Sequence, residues 1–174
     1  MNRILSFFVL IVFIALDNGA AAQSLPVARN IQAAYQKGTR SVEGKPGKNY
    51  WQNKAAYTLR VKFNPETRLV AGTVDITYTN NSPDTLRQIW FKLYPNLYKT
   101  GTPRESAVSP RDLTEGVVID SMFINGQIVN KANIGINGTN MTVNRQSLPG
   151  GKNMQFRISY HYTLNKTSHV RTGE

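Results

Sequence analysis

Cysteine is missing from all 174 residues, so the chain can hold no disulfide, no thiolate metal site, no Cys nucleophile and no lipid-modified cysteine. A domain without such staples rests on its hydrophobic core. Histidine occurs only twice, as His161 and His169, and acidic residues number 10 against 21 Lys and Arg. Chemistry that needs several titrating or metal-ligating groups at one point has little to draw on. No G-x-S-x-G elbow, phosphate-cradling G-x-x-x-x-G-K-[ST] loop or H-E-x-x-H helix occurs. Asp75 and Asp120 fall among strand residues, and nothing in the sequence makes them a hydrolytic carboxylate pair. Each histidine reads as structural or solvent-facing: His161 lies on the polar phase of the last strand, His169 in the tail KTSHVRTGE.

The net charge of +11 invites an anionic partner, but Lys and Arg stand singly and form no basic run. Nucleic acid is therefore not expected as a partner. Met1-Asn2-Arg3, the apolar run Ile4 to Leu16 and the small residues Ala20 to Ala22 have the order of a secretory signal peptide. The run falls short of the roughly 20 residues that span a bilayer, so residues 1–22 are expected to be cleaved, leaving no stable membrane span. Export to a bacterial periplasm or the exterior follows. N-x-[ST] matches at Asn80, Asn137, Asn140 and Asn165 are expected by chance in so Asn-rich a chain.

Three segments are expected: the signal peptide 1–22, an extension or strap 23–56, and a β-domain 57–174. In the strap, Asn30 to Gln36 suits two helical turns after an Asn cap, GTRSVEGKPGK interrupts regular structure, and Tyr50 and Trp51 are the large anchors. From Tyr57 the period becomes two. Tyr57, Leu59, Val61 and Phe63 share one face and Thr58, Arg60 and Lys62 the other, which predicts a half-buried strand. After the turn Asn64-Pro65-Glu66-Thr67 the chain returns with Val70, Gly72, Val74, Ile76 and Tyr78 inward and Thr73, Asp75, Thr77 and Thr79 outward. A turn at residues 80–84 leads into a third strand, IWFKLYP.

Residues 99–116 carry no apolar period and predict a loop. GVVIDSMFINGQIV then gives a strand, a type I′ turn at Asn125-Gly126 and a return; a second Asn-Gly pair, Asn137-Gly138, separates two further short strands. In MQFRISYHYTL, Met154, Phe156, Ile158, Tyr160, Tyr162 and Leu164 alternate without a miss. About seven strands with almost no helix predict an all-β fold, an antiparallel β-sandwich.

The run NYWQNKAAYTLRVKFNPETRLVAGTVDITYTNNSPDTLRQIWFKLYPNLY resembles the start of the N-terminal domain of aminopeptidase N-like zinc metallopeptidases, particularly secreted bacterial members. In that family a Y-x-[IL]-x-V-x-[FL]-[ND]-P strand, an E-T-R turn, a strand with a central Gly, an N-N-S-P-D-T-L turn and a W-F-x-L-[YH]-P-N strand occur in this order. Here they stand as Tyr57 to Pro65, Glu66 to Arg68, the Gly72 strand, Asn80 to Leu86, and Trp90 to Asn96. VVIDSMFINGQIV and LPGGKNMQFRISYHYTL resemble later pieces, so the likeness runs over most of residues 48–174.

The resemblance implies a saddle-like β-domain, incomplete at its C-terminal end, whose full-length parent binds zinc and removes residues from peptide N-termini. The zinc-binding H-E-x-x-H and the substrate-holding G-x-M-E-N match nothing in this chain, so it should be inactive alone. The expected partner is the catalytic domain of the same polypeptide, and peptides are the substrates of the whole enzyme. The alternative is a free-standing secreted module that binds protein, peptide or glycan. In IWFKLYP, Ile89, Phe91 and Leu93 occupy one face of the strand and Trp90 and Tyr94 the other. Trp90, Tyr94, Leu97 and Tyr98 are therefore the candidate domain interface, unless a second sheet of the same domain covers them.

Overall fold

The computed structural model describes residues 26–144 and 146–167. The proposed signal segment and His169 lie outside them. The chain divides into two compact units, one ending at Tyr50 and the other beginning at Trp51. In the first, helix α1 (Arg29–Gln36) begins after Ala28, which makes no side-chain cap. The expected Asn cap is not used: Asn30 lies inside the helix, and Gln32 instead reaches back to the Val27 carbonyl at 2.9 Å. Tyr50 and Trp51, expected as anchors, are both exposed.

The second unit is an antiparallel β-sandwich. Its strands are β1 (Lys54–Asn64), β2 (Leu69–Thr79), β3 (Ile89–Lys92), β4 (Val118–Ile124), β5 (Gln127–Ile128), β6 (Ile134–Asn137), β7 (Asn140–Val143) and β8 (Asn153–Thr163). They form a five-stranded sheet in the order β1-β2-β8-β4-β5 and a three-stranded sheet in the order β3-β7-β6. Register is unbroken along β1–β2 and β2–β8, from Lys54↔Thr79 to Asn64↔Leu69 and from Leu69↔Thr163 to Thr79↔Asn153. Gly72 sits where a Cβ would come within 2.7 Å of the Arg60 carbonyl oxygen, so only glycine fits this crossing of β1 and β2.

The core is the space between the sheets. Ile76 of β2, Ile119, Met122 and Ile124 of β4, and Met154, Phe156 and Ile158 of β8 pack against Ile89 of β3 and Met141 and Val143 of β7. Phe91 meets Phe156 edge-on, with ring centroids 5.2 Å apart. In β4 the buried phase changes from Val117 and Ile119 to Met122 and Ile124, because a bulge between Ile119 and Ser121 inserts Asp120. A strict alternation would have buried Ser121 and Phe123.

The turns follow residue chemistry. Asn125 (φ 50°) and Gly126 (φ 82°) are both left-handed, as a type I′ turn requires. Asn137 instead pairs with Asn140, so the second connection is Gly138-Thr139, with only Gly138 (φ 54°) left-handed, the type II′ requirement. The N-N-S-P-D turn is held by Asn80. Its side-chain amide donates to the carbonyls of Asp84 at 2.8 Å and Leu148 at 3.0 Å, and its Oδ1 accepts from the Ser82 N–H and hydroxyl. Asn165, the other buried Asn of an N-x-[ST] match, donates to the Thr167 carbonyl. Both have a structural use that excludes a glycan in the folded chain.

Candidate functional site: an uncovered apolar face

The sandwich is lopsided. Neighbouring strands lie about 4.8 Å apart, so three strands cover roughly 10 Å less width than five. That shortfall lands on β1. Tyr57, Leu59, Val61 and Phe63 stand opposite Ile76, Val74, Gly72 and Val70 and so share the core face of the sheet. They are nevertheless 49% to 60% exposed, and every residue of β1 is exposed. The half-buried strand expected from alternation is exposed on both faces, because among the described residues no strand of the second sheet packs against it.

The other wall of this open face comes from residues 89–98. β3 ends at Lys92, earlier than the sequence predicts; Leu93 departs from strand geometry and Tyr94–Tyr98 forms a 3-10 turn with Pro95 near its start. Tyr94 is thus not on a strand face with Trp90, but the two still meet at one place. Trp90 is 58% and Tyr94 66% exposed, and with Tyr57, Leu59, Tyr160 and Tyr162 they line an open cleft of about 560 Å³. Trp90 Nε1 donates to Gln88 Oε1 at 3.1 Å, which leaves the ring's faces available. Burial raises the Tyr162 phenol above the usual tyrosine range, with Tyr160 adding to the effect, so its hydroxyl stays neutral. Leu97 is exposed. Tyr98 is only 5% exposed and belongs to the interior, so it drops out of the candidate interface. Tyr57 and Leu59 join it, and sequence pattern hid them because an exposed apolar face and a core face alternate identically.

The outer face of the large sheet carries the charge. Asp75 accepts from Arg60 Nη1 at 2.9 Å and Arg157 Nε at 2.6 Å, and these bonds, Arg157's first, hold its carboxyl below the usual carboxylate range. His161 Nδ1 lies 2.9 Å from the Asp120 carboxylate, which the β4 bulge delivers there. Asp75 faces Arg157 and Asp120 stands beside His161, four residues further along β8, or about 13 Å. The two carboxylates therefore have separate partners and do not form a hydrolytic pair. Among the described residues no three His, Asp or Glu side chains converge, and His161 with one carboxylate does not fit a zinc site. The pairing at Asp75 has a measurable consequence. A carboxyl with a lowered folded-state pKa adds stability above its unfolded value near 3.9, and that stability is lost as pH falls through the folded value. Urea midpoints measured downward from about pH 5 should therefore fall more steeply for the native chain than for Asp75→Asn below about pH 4.

Fold and site together define an antiparallel β-sandwich domain with an exposed apolar face and, among its described residues, no cluster of His, Asp or Glu that could hold a metal. Solved structures similar to this chain include a point-mutated M1 zinc metallopeptidase from Deinococcus radiodurans, at 16% identity and a TM-score of 0.44, over 73% of this chain and 24% of that one. A two-domain M1 zinc metallopeptidase with L-tryptophan bound is similar to the same extent. The chain spans about a quarter of the length of these structures. At that TM-score the likeness establishes neither fold nor activity, and the fold rests on the chain's own strand pairing. No protein-family model matches the sequence, and no curated protein matches it.

Proposed function

We propose that this sandwich is the non-catalytic N-terminal β-domain of an exported zinc aminopeptidase, and that its uncovered face seats the zinc-binding catalytic domain of the same polypeptide. The carrying observation is the continuity of the core face of the large sheet onto β1, where Tyr57, Leu59, Val61 and Phe63 stand in solvent beside Trp90 and Tyr94. Contiguous apolar surface of this kind marks an interaction site. The run of turn and strand signatures from Tyr57 to Asn96 supports the choice of partner. In the whole enzyme zinc and peptide would be held by the catalytic domain, and this domain would contribute rigidity and a wall.

The test compares this chain with the polypeptide encoded through the continuing reading frame, which should contain H-E-x-x-H. In the present chain Leu59→Ser and Trp90→Ser should change unfolding free energy by less than about 1 kcal/mol, since both side chains are largely in water. In the longer polypeptide each should cost about 2 kcal/mol or more and lower peptidase activity, because the same atoms would be buried. Trp90 emission should also move to shorter wavelength there. A frame that closes with no H-E-x-x-H, or substitutions that are equally mild in both contexts, would overturn the reading. Saturable oligosaccharide binding that quenches Trp90 would favour the free-standing glycan-binding module instead.

A further inference from the structure

The edge of β1 is a second feature, distinct from its apolar face. β1 pairs with β2 alone, and among the described residues no strand lies on its other side. In an antiparallel ladder alternate residues turn their N–H and C=O away from the partner, so about half of this 11-residue strand presents unpaired backbone to solvent. Edges are ordinarily blunted by proline, by a bulge or by short length. β1 has none of these three, its one blunting device being the cations Lys54, Arg60 and Lys62: Lys54–Asn64 contains no proline, its register with β2 is unbroken, and it is among the longest strands of the sheet. We propose that β1 accepts an extended acidic segment by strand addition, with apolar and acidic residues alternating in the incoming chain.

Charge selects this occupant. Lys54–Asn64 carries Lys54, Arg60 and Lys62 and no acid, and all three cations lie on the outer face. Arg60 shares the Asp75 carboxylate with Arg157, Lys54 and Lys62 have no such partner among the described residues, and Glu66 lies beyond the strand in the turn. A second copy of β1 would bring a second set of three cations against the first, and like charges across neighbouring strands are unfavourable. An acidic strand reverses that sign: its carboxylates fall beside Lys54 and Lys62, and its apolar residues fall beside Tyr57, Leu59, Val61 and Phe63, extending the apolar face by one strand. The backbone supplies affinity, and the two side-chain rows supply selectivity.

The probe is a capped nonapeptide alternating Glu and Val with Glu at both ends, long enough to lie beside both Lys54 and Lys62, titrated against the purified chain while backbone hydrogen exchange is followed residue by residue. Alternate amides of β1 should gain protection. Affinity should fall at least about tenfold in Lys54→Glu/Lys62→Glu, for a Lys-Val peptide, and on raising salt from about 50 to 300 mM. Both substitutions are on exposed side chains and leave the fold intact, which the unchanged far-UV spectrum checks. Two peptides N-methylated at alternate residues in opposite phases separate strand addition from simple charge attraction: one should lose binding and the other keep it. Equal binding of the two, protection that maps away from β1, indifference to the charge reversals, or a peptide-free dimer closed through β1 would each overturn the proposal.

Discussion

Phe156→Ala should lower the unfolding free energy by about 3–5 kcal/mol, the range for removing a fully packed aromatic side chain from a core. Phe156 is 3% exposed in the first half of β8, flanked by Ile76 on β2 and Ile124 on β4, and its ring meets Phe91 of the opposite sheet edge-on. It is therefore a tie between the two layers. Its loss opens a cavity between sheets that strand pairing on both sides keeps from collapsing, and it removes an aromatic contact worth about 0.5–1.5 kcal/mol beyond area burial. Chemical denaturation monitored by far-UV circular dichroism measures the difference. Phe156→Leu should recover more than half of it, because most of the volume returns. A loss below about 1 kcal/mol for Phe156→Ala would mean that the sheets are not packed as described.

The second large effect is polar. Asn80→Ala should cost about 2–4 kcal/mol, although it removes only a short side chain. Asn80 is fully buried, and its amide joins two loops distant in sequence: residues 80–84, through the Ser82 N–H and hydroxyl and the Asp84 carbonyl, and residues 148–152, through the Leu148 carbonyl. Its backbone closes the same junction, the N–H donating to Lys152 and the carbonyl accepting from Gly151. The fit there is close, since a Cβ at Gly150 would come within 2.6 Å of the Ser82 carbonyl oxygen. Alanine leaves the Ser82 N–H without its acceptor in a buried site, while the Ser82 hydroxyl can still donate to the Asp84 carbonyl at 3.0 Å, and an unsatisfied buried group costs about 1–3 kcal/mol. Asn80→Asp keeps the acceptor and loses the donors, so it should be milder at low pH, where the carboxyl is protonated and can donate, than at neutral pH. Urea midpoints of the three proteins at about pH 4 and pH 7 test the order. Equal stability of the Ala variant and the native chain would show that Asn80 does not hold the junction.

The two effects locate different kinds of information. Phe156 was legible as an inward residue, because the alternation of MQFRISYHYTL is unbroken and any sheet built from it must present that row to one side. Asn80 was legible only as a turn residue. That its turn is clamped to residues 148–152 depends on a contact between loops far apart in the chain, for which sequence pattern carries no signal. Asp120 is a similar case. It reads as an outward strand residue, but the bulge that resets the phase of β4 is what brings it to His161.

The candidate site divides the same way. Trp90 and Tyr94 stood out because large aromatic residues fell in the outward phase of a short strand. By pattern alone their partners Tyr57 and Leu59 fall on the inward face of a half-buried strand, and Tyr98 falls with the interface residues. By itself the sequence determined the all-β class, the β1–β2 and β4–β5 hairpins, the inward rows of β2 and β8, and the lack of a zinc-binding motif. Those are local properties: period-two alternation, and turn residues that tolerate positive φ. The tertiary structure alone decided which apolar rows are buried. β1 and β8 carry the same alternation, yet β8 lies under the second sheet and β1 lies beyond its reach, because burial depends on what stands opposite a strand and not on the strand's own pattern.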